Sequence, residues 1–517
     1  MFYPYLGTET MNNQIITVVG GGSAGWMTAN LLHNQLHQHG FTIRVIESPS
    51  IGIIGVGEGS TPQLKVFFDM LGIAEQTWMP RCDATFKHGI RFNGWTDLVH
   101  PQYDHYFHPF PSNQDHNSGR YFLQQVHTML AGYPAMPHPD LYFLTATLAQ
   151  QNKTPAHEHP ELQTNYGYHF DSAKLGQFLK THGTQQGIQV ITTTIDSIQH
   201  QANTIVSVTD EQGQIFNSDW FFDCTGFGGK LIQEALGTDF IHYTDNLFND
   251  RAVAIPTRRE EQELPQTTAT ALPCGWAWRI PLTSRIGNGY VYSSQYCTAD
   301  EAEHVLRQHL NIDDKIPARH LSMKVGRLAQ HWVGNTIAVG LAQGFIEPLE
   351  ATALHLVQET VTQFIGAFTA GRFTTIYQEQ FNDNINARFE GIRDYIVAHY
   401  ACNQLTHARM SQKYASSNSR FHFDGKAVTI DTPRYWEDCR EKVVTSENLQ
   451  AVLACWERGG DLHQLLVDRK MQTYYPTLSW YTLLAGYRRF THQQYQDNLQ
   501  TQQIQAKLVE LTQHFTC

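Results

Sequence analysis

"QIITVVGGGSAGWMTANLLHNQL", residues 14–36, carries the strongest prediction of the fold. A β-branched run over residues 15–19 predicts a strand, and the glycine-rich turn after it leads into a helix that opens with Ser23. Gly20, Gly22 and Gly25 have the GxGxxG spacing, which allows a tight turn, close backbone approach to a pyrophosphate, and close packing of helix and strand. The positive end of the helix would face the phosphates. The segment therefore predicts a dinucleotide site on an α/β fold.

A second predicted strand supplies the acidic residue that such a site uses. "FTIRVIES", residues 41–48, contains Glu47, twenty-two residues after Gly25. A carboxylate at this place accepts a hydrogen bond from a ribose hydroxyl. The pattern alone does not distinguish FAD from NAD.

Two later segments also run from an apolar strand into a glycine-rich turn. They are "DWFFDCTGFGG" at 219–229 and "GNTIAVGLAQGF" at 334–345. Three such turns beside one sheet would hold an elongated ligand, which favours FAD over NAD. The alternative is that they are ordinary connections with glycine at helix ends.

The overall composition is that of a folded protein and excludes a nucleic-acid surface. The 517 residues are 41% hydrophobic and 16% charged, with a net charge of −12 and no run of lysine and arginine. A chain of this length exceeds the roughly 250–300 residues that one core usually supports, so we expect two or more modules.

Cysteine usage and the N-terminus predict the cellular compartment. The eight cysteines are scattered without a CxxC pair, which favours reduced thiols over disulfides or a zinc site. Neither a secretory signal pattern nor an uninterrupted run of about eighteen apolar residues occurs. We expect a soluble, cytoplasmic protein.

Changes in composition divide the chain into two predicted modules. Residues 100–160 are rich in histidine, proline and aromatics without a metal-fixing spacing, so we expect a lid or pocket wall there and no metal. From about residue 380 the sequence is helical and polar. We predict an FAD-binding Rossmann-type module from residues 1–100 and 160–380. Residues 100–160 and 380–517 would form a mostly helical substrate-binding module.

One lysine stands out in "RCDATFKHGIRFNGW", residues 81–95. Phe86, His88, Ile90 and Phe92 alternate with more polar positions, so the stretch predicts a single strand whose Lys87 points away from the apolar face. That side chain would face either water or an internal cavity where an ammonium group has a chemical role.

Several motifs together resemble the flavin-dependent halogenases of the tryptophan-halogenase type. The most specific is WxWxIP, within "CGWAWRIP" at 274–281; "GGGSAGWMTA" and "GFIEPLEAT" at 344–352 accompany it. Further similarity lies in "IGVGEGSTP" at 54–62, "FKHGIRFNGW" at 86–95, "YGYHFDSAKLGQFL" at 166–179 and "GNGYVYSS" at 287–294. The resemblance covers most of the first 400 residues, and it implies that the Rossmann-type module is of the flavin-monooxygenase (GR2-like) kind.

The resemblance implies a role for Lys87. In that family a partner reductase supplies FADH2, and oxygen and halide then yield hypohalous acid, which travels inward to a lysine. Lys87 would hydrogen-bond this acid or form a haloamine. Glu350 matches the family's catalytic glutamate, which holds the electrophile, stabilises the cationic arenium intermediate or accepts its proton. Without the resemblance, Glu350 would be interpreted as a charge at a helix N-terminus.

Two aromatic pairs match further family positions. Trp276 and Trp278 lie on one strand face and would wall off the flavin, so that halide and hypohalous acid pass but an organic substrate does not. His108 and Phe110 match the substrate-stacking pair. The simpler interpretation of both pairs is ordinary aromatic core.

The chain departs from the family at the halide motif. Where the family has EPLESTG, residues 347–353 read EPLEATA. Backbone amides at Thr352 and Ala353 would bind halide, but Ala353 adopts positive φ less readily than glycine. Ala351 replaces the serine that helps to orient the substrate. We therefore expect altered halide affinity or preference.

These observations predict an FADH2-dependent halogenase of an electron-rich aromatic. Indole is favoured over free tryptophan, with bromide at least as good as chloride. The alternatives are a flavin-dependent aromatic hydroxylase, which would not need Lys87, and a non-catalytic flavin-binding homologue. A flavin reductase and a small aromatic substrate are the expected partners, with no nucleic acid or membrane; the oligomeric state stays open, with a homodimer as one option. The predicted cofactor-binding residues are Gly20, Gly22, Ser23, Ala24, Gly25, Trp26, Glu47, Ser48, Gly57, Gly59, Leu341 and Leu354.

Overall fold

The predicted strand, glycine turn and helix lie at the centre of a parallel sheet. A computed structural model describes residues 14–50, 57–96, 104–155, 159–313, 315–415, 422–423, 426–427, 433–491 and 493–516. In chain order the strands are β1 (Gln14–Val19), β2 (Phe41–Glu47), β3 (Gly57–Gly59), β4 (Thr85–Lys87), β5 (Gly89–Asn93), β6 (His105–Pro109), β7 (Gly167–Asp171), β8 (Gln189–Thr192), β9 (Ile195–Gln201), β10 (Thr204–Asp210), β11 (Ile215–Asn217), β12 (Trp220–Asp223), β13 (Phe240–His242), β14 (Arg251–Ala254), β15 (Thr267–Leu272), β16 (Gly275–Pro281), β17 (Ile286–Tyr292), β18 (Arg319–Ser322), β19 (Gly326–Leu328), β20 (Trp332–Val333), β21 (Thr336–Ala338), β22 (Gly344–Phe345), β23 (His422–Phe423) and β24 (Lys426–Ala427).

The helices complete the fold and dominate its C-terminal part. In chain order they are α1 (Ser23–Leu36), α2 (Gln63–Met70), α3 (Glu75–Trp78), α4 (His116–Leu130), α5 (Leu144–Gln150), α6 (Ser172–Gln186), α7 (Ala299–Leu310), α8 (Ala353–Ala370), α9 (Gln378–Cys402), α10 (His407–Ala415), α11 (Tyr435–Glu441), α12 (Glu447–Glu457), α13 (Leu462–Asp468), α14 (Thr477–Gly486) and α15 (Leu499–Leu511). The helical character predicted beyond residue 380 is confirmed.

The parallel sheet has the strand order β20-β21-β12-β1-β2-β8. β1 pairs in parallel with β2 on one side and with β12 on the other, and β12 pairs in parallel with β21. The carboxyl ends of these strands therefore meet at one edge of the sheet, where α/β proteins bind their ligands.

A larger sheet has the strand order β18-β14-β17-β16-β15-β5-β6. The motifs at 274–281 and 287–294 lie on its strands β16 and β17. β6, from the histidine-rich segment, forms its edge beside β5. A small sheet, β3-β7-β4, joins the two regions. Residues 85–93 are therefore not the single strand that the alternation predicts. β4 pairs with β7, whereas β5 pairs with β6 and β15.

The passage of the chain from the small sheet to the larger sheet, between β4 and β5, has a physical cause. The chain leaves one sheet at His88, whose N–H donates to the carbonyl of Pro265 at 2.8 Å, and enters the other at Gly89. A Cβ at Gly89 would lie 2.3 Å from the carbonyl oxygen of His108, so only glycine fits there. Both sides of the segment are buried, including Arg91, which pairs with Asp140.

One cluster of buried apolar side chains connects the two predicted modules. It includes Ile16 and Val45 of the parallel sheet together with Trp480 and Tyr487 of the C-terminal helical part. The division into modules stays a prediction. The seven cysteines within the described ranges have free thiols. None of the helices within those ranges is both long and apolar enough to cross a membrane.

Candidate active site

The glycine turn after β1 has the geometry that the sequence pattern requires. Gly20 has φ +118°, and a Cβ there would lie 2.2 Å from the carbonyl oxygen of Cys224. A Cβ at Gly25 would lie 1.9 Å from the carbonyl oxygen of Gly20, so the helix packs against the turn. By contrast, no heavy atom lies within 4 Å of a Cβ placed at Gly22. The turn therefore leaves an open cradle at its second glycine.

The N-terminus of α1 opens into this cradle without a protein side chain capping it. Its first turn contains no acidic residue, and its N-cap residue is Gly22, which has no side chain to accept a hydrogen bond from the helix N–H groups. The hydroxyl of Ser23 instead donates to the carbonyl of Ser172 at 2.9 Å. Free backbone N–H groups at the positive end of a helix bind phosphate, so this end fits the pyrophosphate of FAD.

The predicted ribose acceptor is held at the end of β2. Glu47 Oε2 accepts a hydrogen bond from Trp26 Nε1 at 3.2 Å, and Lys180 forms an ion pair with Oε1. Ser48, which follows Glu47, has its hydroxyl 2.8 Å from the hydroxyl of Thr194. These three contacts fix the strand end, and binding of the ribose by Glu47 stays a prediction.

The three glycine-rich turns meet at the same edge of the parallel sheet. Cys224, after β12, touches the turn at Gly20, and a Cβ at Gly340 would lie 2.8 Å from Cβ of Ala24 in α1. Leu341 lies in the short turn Gly340–Ala342, and Leu354 lies in the first turn of α8. This convergence fits an elongated cofactor better than the interpretation of three unrelated connections.

Gly57 and Gly59 lie away from that turn, on β3. A Cβ at Gly57 would lie 3.3 Å from side-chain atoms of Ile280 and Leu282, and a Cβ at Gly59 would lie 3.2 Å from Lys87 Nζ. Gly59 therefore keeps space open beside the lysine. The first three residues of the motif at 54–62 lie outside the described residues.

Lys87 ends β4 and is completely buried, with 0% of its surface exposed. Its Nζ has no hydrogen-bond partner among the described residues and lies 5.4 Å from the ring centroid of Phe110. Burial lowers the pKa of Lys87 to about 7, against the opposing effect of the Glu350 carboxylate. The interpretation of Lys87 as a solvated surface residue is therefore wrong.

A directional hydrogen-bond chain lies beside the lysine. Thr85 Oγ1 donates to the carbonyl of Pro281 at 2.7 Å, so at 3.2 Å it accepts from His169 Nδ1. His169 Nε2 then accepts from Thr267 Oγ1 at 2.9 Å. Burial and the charge of Lys87 hold the pKa of His169 well below its usual value. The histidine therefore stays neutral beside the lysine.

Glu350 lies in the short turn Pro348–Glu350 and is 3% exposed. Its Oε2 lies 3.6 Å from His108 Nδ1, beyond hydrogen-bond distance, and its Oε1 lies 3.0 Å from His399 Nε2 without the geometry of a hydrogen bond. Burial raises the pKa of Glu350, and His108 and Lys87 oppose that rise. The structure thus brings Lys87, Glu350, His108 and Phe110 together, and Glu350 is not a solvated charge at a helix end.

The predicted halide residues lie where α8 begins. Thr352 is the N-cap residue of this helix without a side-chain cap, and Ala353 is its first residue. The sequence analysis expected backbone strain at Ala353, and that expectation is wrong. Ala351, not Ala353, has positive φ, at 55°, because the chain reverses between Glu350 and the helix. Ala353 therefore needs no glycine-like conformation.

The two tryptophans of the WxWxIP motif lie on β16. Trp276 Nε1 donates to Glu347 Oε2 at 3.0 Å, and Trp278 packs over Gly289, where a Cβ would lie 2.0 Å from the indole ring. Their ring centroids are 6.4 Å apart. Glu347 is thus a structural anchor, and the role of the two rings as a wall beside the flavin stays a prediction.

Several site residues were absent from the sequence-based prediction. Tyr395 and His399 lie on α9, and Tyr475, whose buried hydroxyl has no partner among the described residues, stacks on Tyr395 with centroids 3.6 Å apart. The i, i+4 spacing of Tyr395 and His399 places them on one helix face and was the only signal available. Tyr475 lies in a loop, and the sequence gave no signal for its role.

Six buried polar atoms of this site have no hydrogen-bond partner among the described residues. Buried polar groups are normally hydrogen-bonded, so a cluster of exceptions marks a site that a ligand completes. The atoms are Lys87 Nζ, His108 Nδ1, Glu350 Oε1, Thr352 Oγ1, His399 Nε2 and Tyr475 OH. In the described parts of the chain, no group of three or more histidine, cysteine or acidic side chains is placed to hold a metal ion.

Comparison with known proteins gives the family. The model of the tryptophan halogenase family matches residues 15–419. A tryptophan 6-halogenase from Streptomyces toxytricini is 34% identical over 420 residues, which are 76% of this chain and 79% of that protein. The crystal structure of a tryptophan 6-halogenase from the same organism has a TM-score of 0.79 at 28% identity, covering 97% of this chain and 98% of that one.

A second solved structure extends the similarity over almost all of both chains. A flavin-dependent halogenase from Brevundimonas sp. BAL3 has a TM-score of 0.77 at 27% identity, covering 98% of each chain. The predicted fold, a flavin-binding α/β unit with an added helical part, is confirmed by these matches. The chain belongs to the tryptophan halogenase family of flavin-dependent enzymes.

Proposed function

We propose that this enzyme uses FADH2, oxygen and halide to halogenate a small electron-rich aromatic substrate, of the indole class. Bromide would be used at least as well as chloride. The observation that carries the proposal is the Lys87 ammonium group, which is completely buried, lacks a hydrogen-bond partner among the described residues and lies in the field of the buried Glu350.

The cofactor would be held by the open glycine turn, the N-terminus of α1 and Glu47. Reduced FAD, delivered by a separate reductase, would supply hypohalous acid from oxygen and halide. The start of α8 would bind the halide, because the N–H groups of Thr352 and Ala353 lie at the positive end of an 18-residue helix without a side-chain cap.

Lys87 would present the oxidised halogen to the substrate. With a pKa of about 7, its charged and neutral forms are both populated near neutral pH. The ammonium form would donate a hydrogen bond to the oxygen of hypohalous acid. The amine form would attack the halogen: an N–halogen bond forms, the O–halogen bond breaks, and the leaving hydroxide takes the amine proton as water. Complete burial keeps bulk water from either species.

Glu350 would act on the ring that is being halogenated. Its carboxylate stabilises the cationic arenium intermediate and then accepts the proton from the halogenated carbon. Because burial raises its pKa, Glu350 is a better base near neutral pH than a solvated carboxylate.

The surrounding side chains favour a neutral aromatic substrate. Among the described residues, His108, His399, Tyr395 and Tyr475 group around Glu350. Imidazole and phenol rings offer stacking and neutral hydrogen bonds. They do not offer the paired charges that the ammonium and carboxylate groups of free tryptophan require.

The test is product analysis by mass spectrometry. Purified enzyme is mixed with FAD, NADH and a generic flavin reductase, and is given indole, phenol or tryptophan with bromide or chloride. We expect brominated indole. Faster turnover of tryptophan with chloride would refute the substrate class. A hydroxylated product that persists in Lys87→Ala would identify a hydroxylase, and oxygen consumption without halogenated product across the panel would identify a non-catalytic homologue.

A further inference from the structure

His108 has a fixed pattern of protons that stacking on a substrate does not explain. Its Nε2 lies 2.9 Å from the hydroxyl of Tyr395, and that hydroxyl donates to the carbonyl of Ser479 at 3.0 Å. A carbonyl oxygen only accepts, so the single phenolic proton of Tyr395 is committed to Ser479. Tyr395 must therefore accept from His108, which places a proton on Nε2 of the imidazole.

The other ring nitrogen of His108 faces Glu350. In the neutral imidazole fixed by Tyr395, Nδ1 carries a lone pair, and this atom lies 3.6 Å from Glu350 Oε2 without a hydrogen-bond partner among the described residues. Both side chains are almost completely buried. A lone pair facing a carboxylate oxygen in a dry site is favourable only when a proton lies on one of the two atoms.

We propose that His108 takes over from Glu350 the proton that the substrate loses on halogenation. The step rests on the proposed function and is balanced. The C–H bond of the arenium breaks and its electron pair returns to the ring, Glu350 gains the proton, and the proton then moves to His108 Nδ1. His108 becomes an imidazolium, and Glu350 regains its charge. His108 acts through Glu350, and Tyr395 is the positioning residue that fixes the tautomer able to accept.

The groups around His108 act on its pKa in both directions. Burial lowers the pKa of His108 and raises the pKa of Glu350. Lys87 and His399 lower the pKa of His108 further, whereas the Glu350 charge raises it. Of the other groups around Glu350, Tyr395 and Tyr475 have pKa values raised well above the usual range and stay protonated.

His399 is the rival acceptor, since its Nε2 lies 3.0 Å from the other oxygen of Glu350. Burial lowers the pKa of His399 to about 3, which keeps it neutral. It also lacks a contact that fixes its tautomer: Nδ1 lies 3.0 Å from the hydroxyl of Tyr487, which can donate or accept. The matched variant His399→Gln therefore separates the two imidazoles.

The experiment compares indole with ring-deuterated indole, using bromide, in the wild type, His108→Gln, Tyr395→Phe and His399→Gln. Glutamine keeps an N–H toward Tyr395 but cannot accept a proton. In the wild type, proton loss follows a slower step, so no isotope effect on kcat is expected. In His108→Gln, kcat falls about 100-fold and a primary isotope effect appears, with KM for indole little changed. Tyr395→Phe shows a smaller effect of the same kind. His399→Gln shows no primary isotope effect, whatever the change in its kcat.

The outcomes separate this proposal from its rivals. A raised KM for indole without an isotope effect in His108→Gln would show a stacking role and overturn the proposal. An isotope effect in His399→Gln but not in His108→Gln would assign the proton to the other imidazole. Tyr395→Phe keeps the question decidable if His108→Gln does not bind FAD: an isotope effect supports the relay and its absence refutes it. A wild type that brominates no aromatic at all would instead overturn the proposed function.

Discussion

His399 Nε2 lies 3.0 Å from Glu350 Oε1, with both side chains buried. His399 comes from α9, and His108, on the opposite oxygen of the same carboxylate, comes from β6. The larger sheet and the C-terminal helical part thus each contribute one imidazole to Glu350. Burial lowers the pKa of both histidines, which opposes the formation of imidazolium charges beside the carboxylate.

The first prediction concerns Glu350→Gln, which keeps the shape of the side chain and removes its charge. Halogenation falls about 100-fold or more, because the base is lost. The pKa of Lys87 falls below about 7, since the Glu350 charge is what opposes the effect of burial. The pH–rate profile of residual bromination reports this as a limb displaced to lower pH. Glu359→Gln, on the partly exposed side of α8, is the control; an unchanged rate in Glu350→Gln would contradict the prediction.

A second prediction follows from the burial of a charge at Lys87. The pKa of Lys87 is about 7 in the folded chain and about 10.4 when unfolded. Below pH 7 both states hold the proton, and the folded state bears the full cost of the buried ammonium. At pH values between the folded and unfolded pKa of Lys87, only the unfolded state holds the proton. Wild-type stability therefore rises with pH over this interval.

The variant Lys87→Met should therefore be more stable than the wild type. The gain is about 2–5 kcal/mol at pH 6 and shrinks steadily toward pH 10. Thermal unfolding of both proteins at pH 6, 8 and 9.5 measures it. A variant less stable than the wild type at pH 6, or a difference independent of pH, would refute the buried-ammonium account.

A third prediction tests the halide site through Ala353→Asp. A carboxylate in the first turn of α8 competes with an anion at the helix N-terminus, so the apparent KM for bromide rises about tenfold. Stability does not fall, because the macrodipole favours the new charge by about 0.3–1 kcal/mol. Ala353→Asn, similar in size but neutral, is the matched control and should shift KM much less. Equal effects of the two variants would show that charge at this helix end is irrelevant to halide binding.

A fourth prediction concerns the flavin. Removing the carboxylate in Glu47→Ala weakens FAD binding about tenfold or more, because a hydrogen bond to a charged group contributes about 1.5–3 kcal/mol. Titration of flavin fluorescence gives the dissociation constant. Glu211→Ala, in an exposed turn, serves as the comparison. Unchanged affinity in Glu47→Ala would mean that this side chain only anchors Trp26 and Lys180.

The nucleotide-binding half of the fold was accessible from local sequence. The run from Gln14 to Leu36 encodes its strand, turn and helix through short-range patterns, and the spacing to Glu47 adds the second strand. These features depend on neighbours in the chain, so periodicity and glycine placement were sufficient.

The chemical site was accessible only in part. Lys87, Glu350, His108 and Phe110 were identified by resemblance, because the contacts among them join residues far apart in the chain. His399, Tyr395 and Tyr475 reach the site from the C-terminal part, which has no comparable motif. The strand break at His88 also escaped prediction, since it is imposed by pairing with distant strands. The positive φ at Ala351 escaped prediction because alanine does not favour that conformation and gives no local signal for it.

Following the halogen in Lys87→Met shows whether the buried amine presents it to the ring. The reaction contains FAD, NADH, a generic reductase, indole and bromide, and a thiol probe scavenges free oxidised bromine while oxygen uptake and brominated indole are recorded. We predict that oxygen uptake and oxidised bromine continue while brominated indole falls at least about 100-fold. Lys65→Met, at an exposed lysine of α2, should behave as the wild type. Brominated indole formed by Lys87→Met at the wild-type rate would contradict the central claim that a buried amine presents the halogen to the ring.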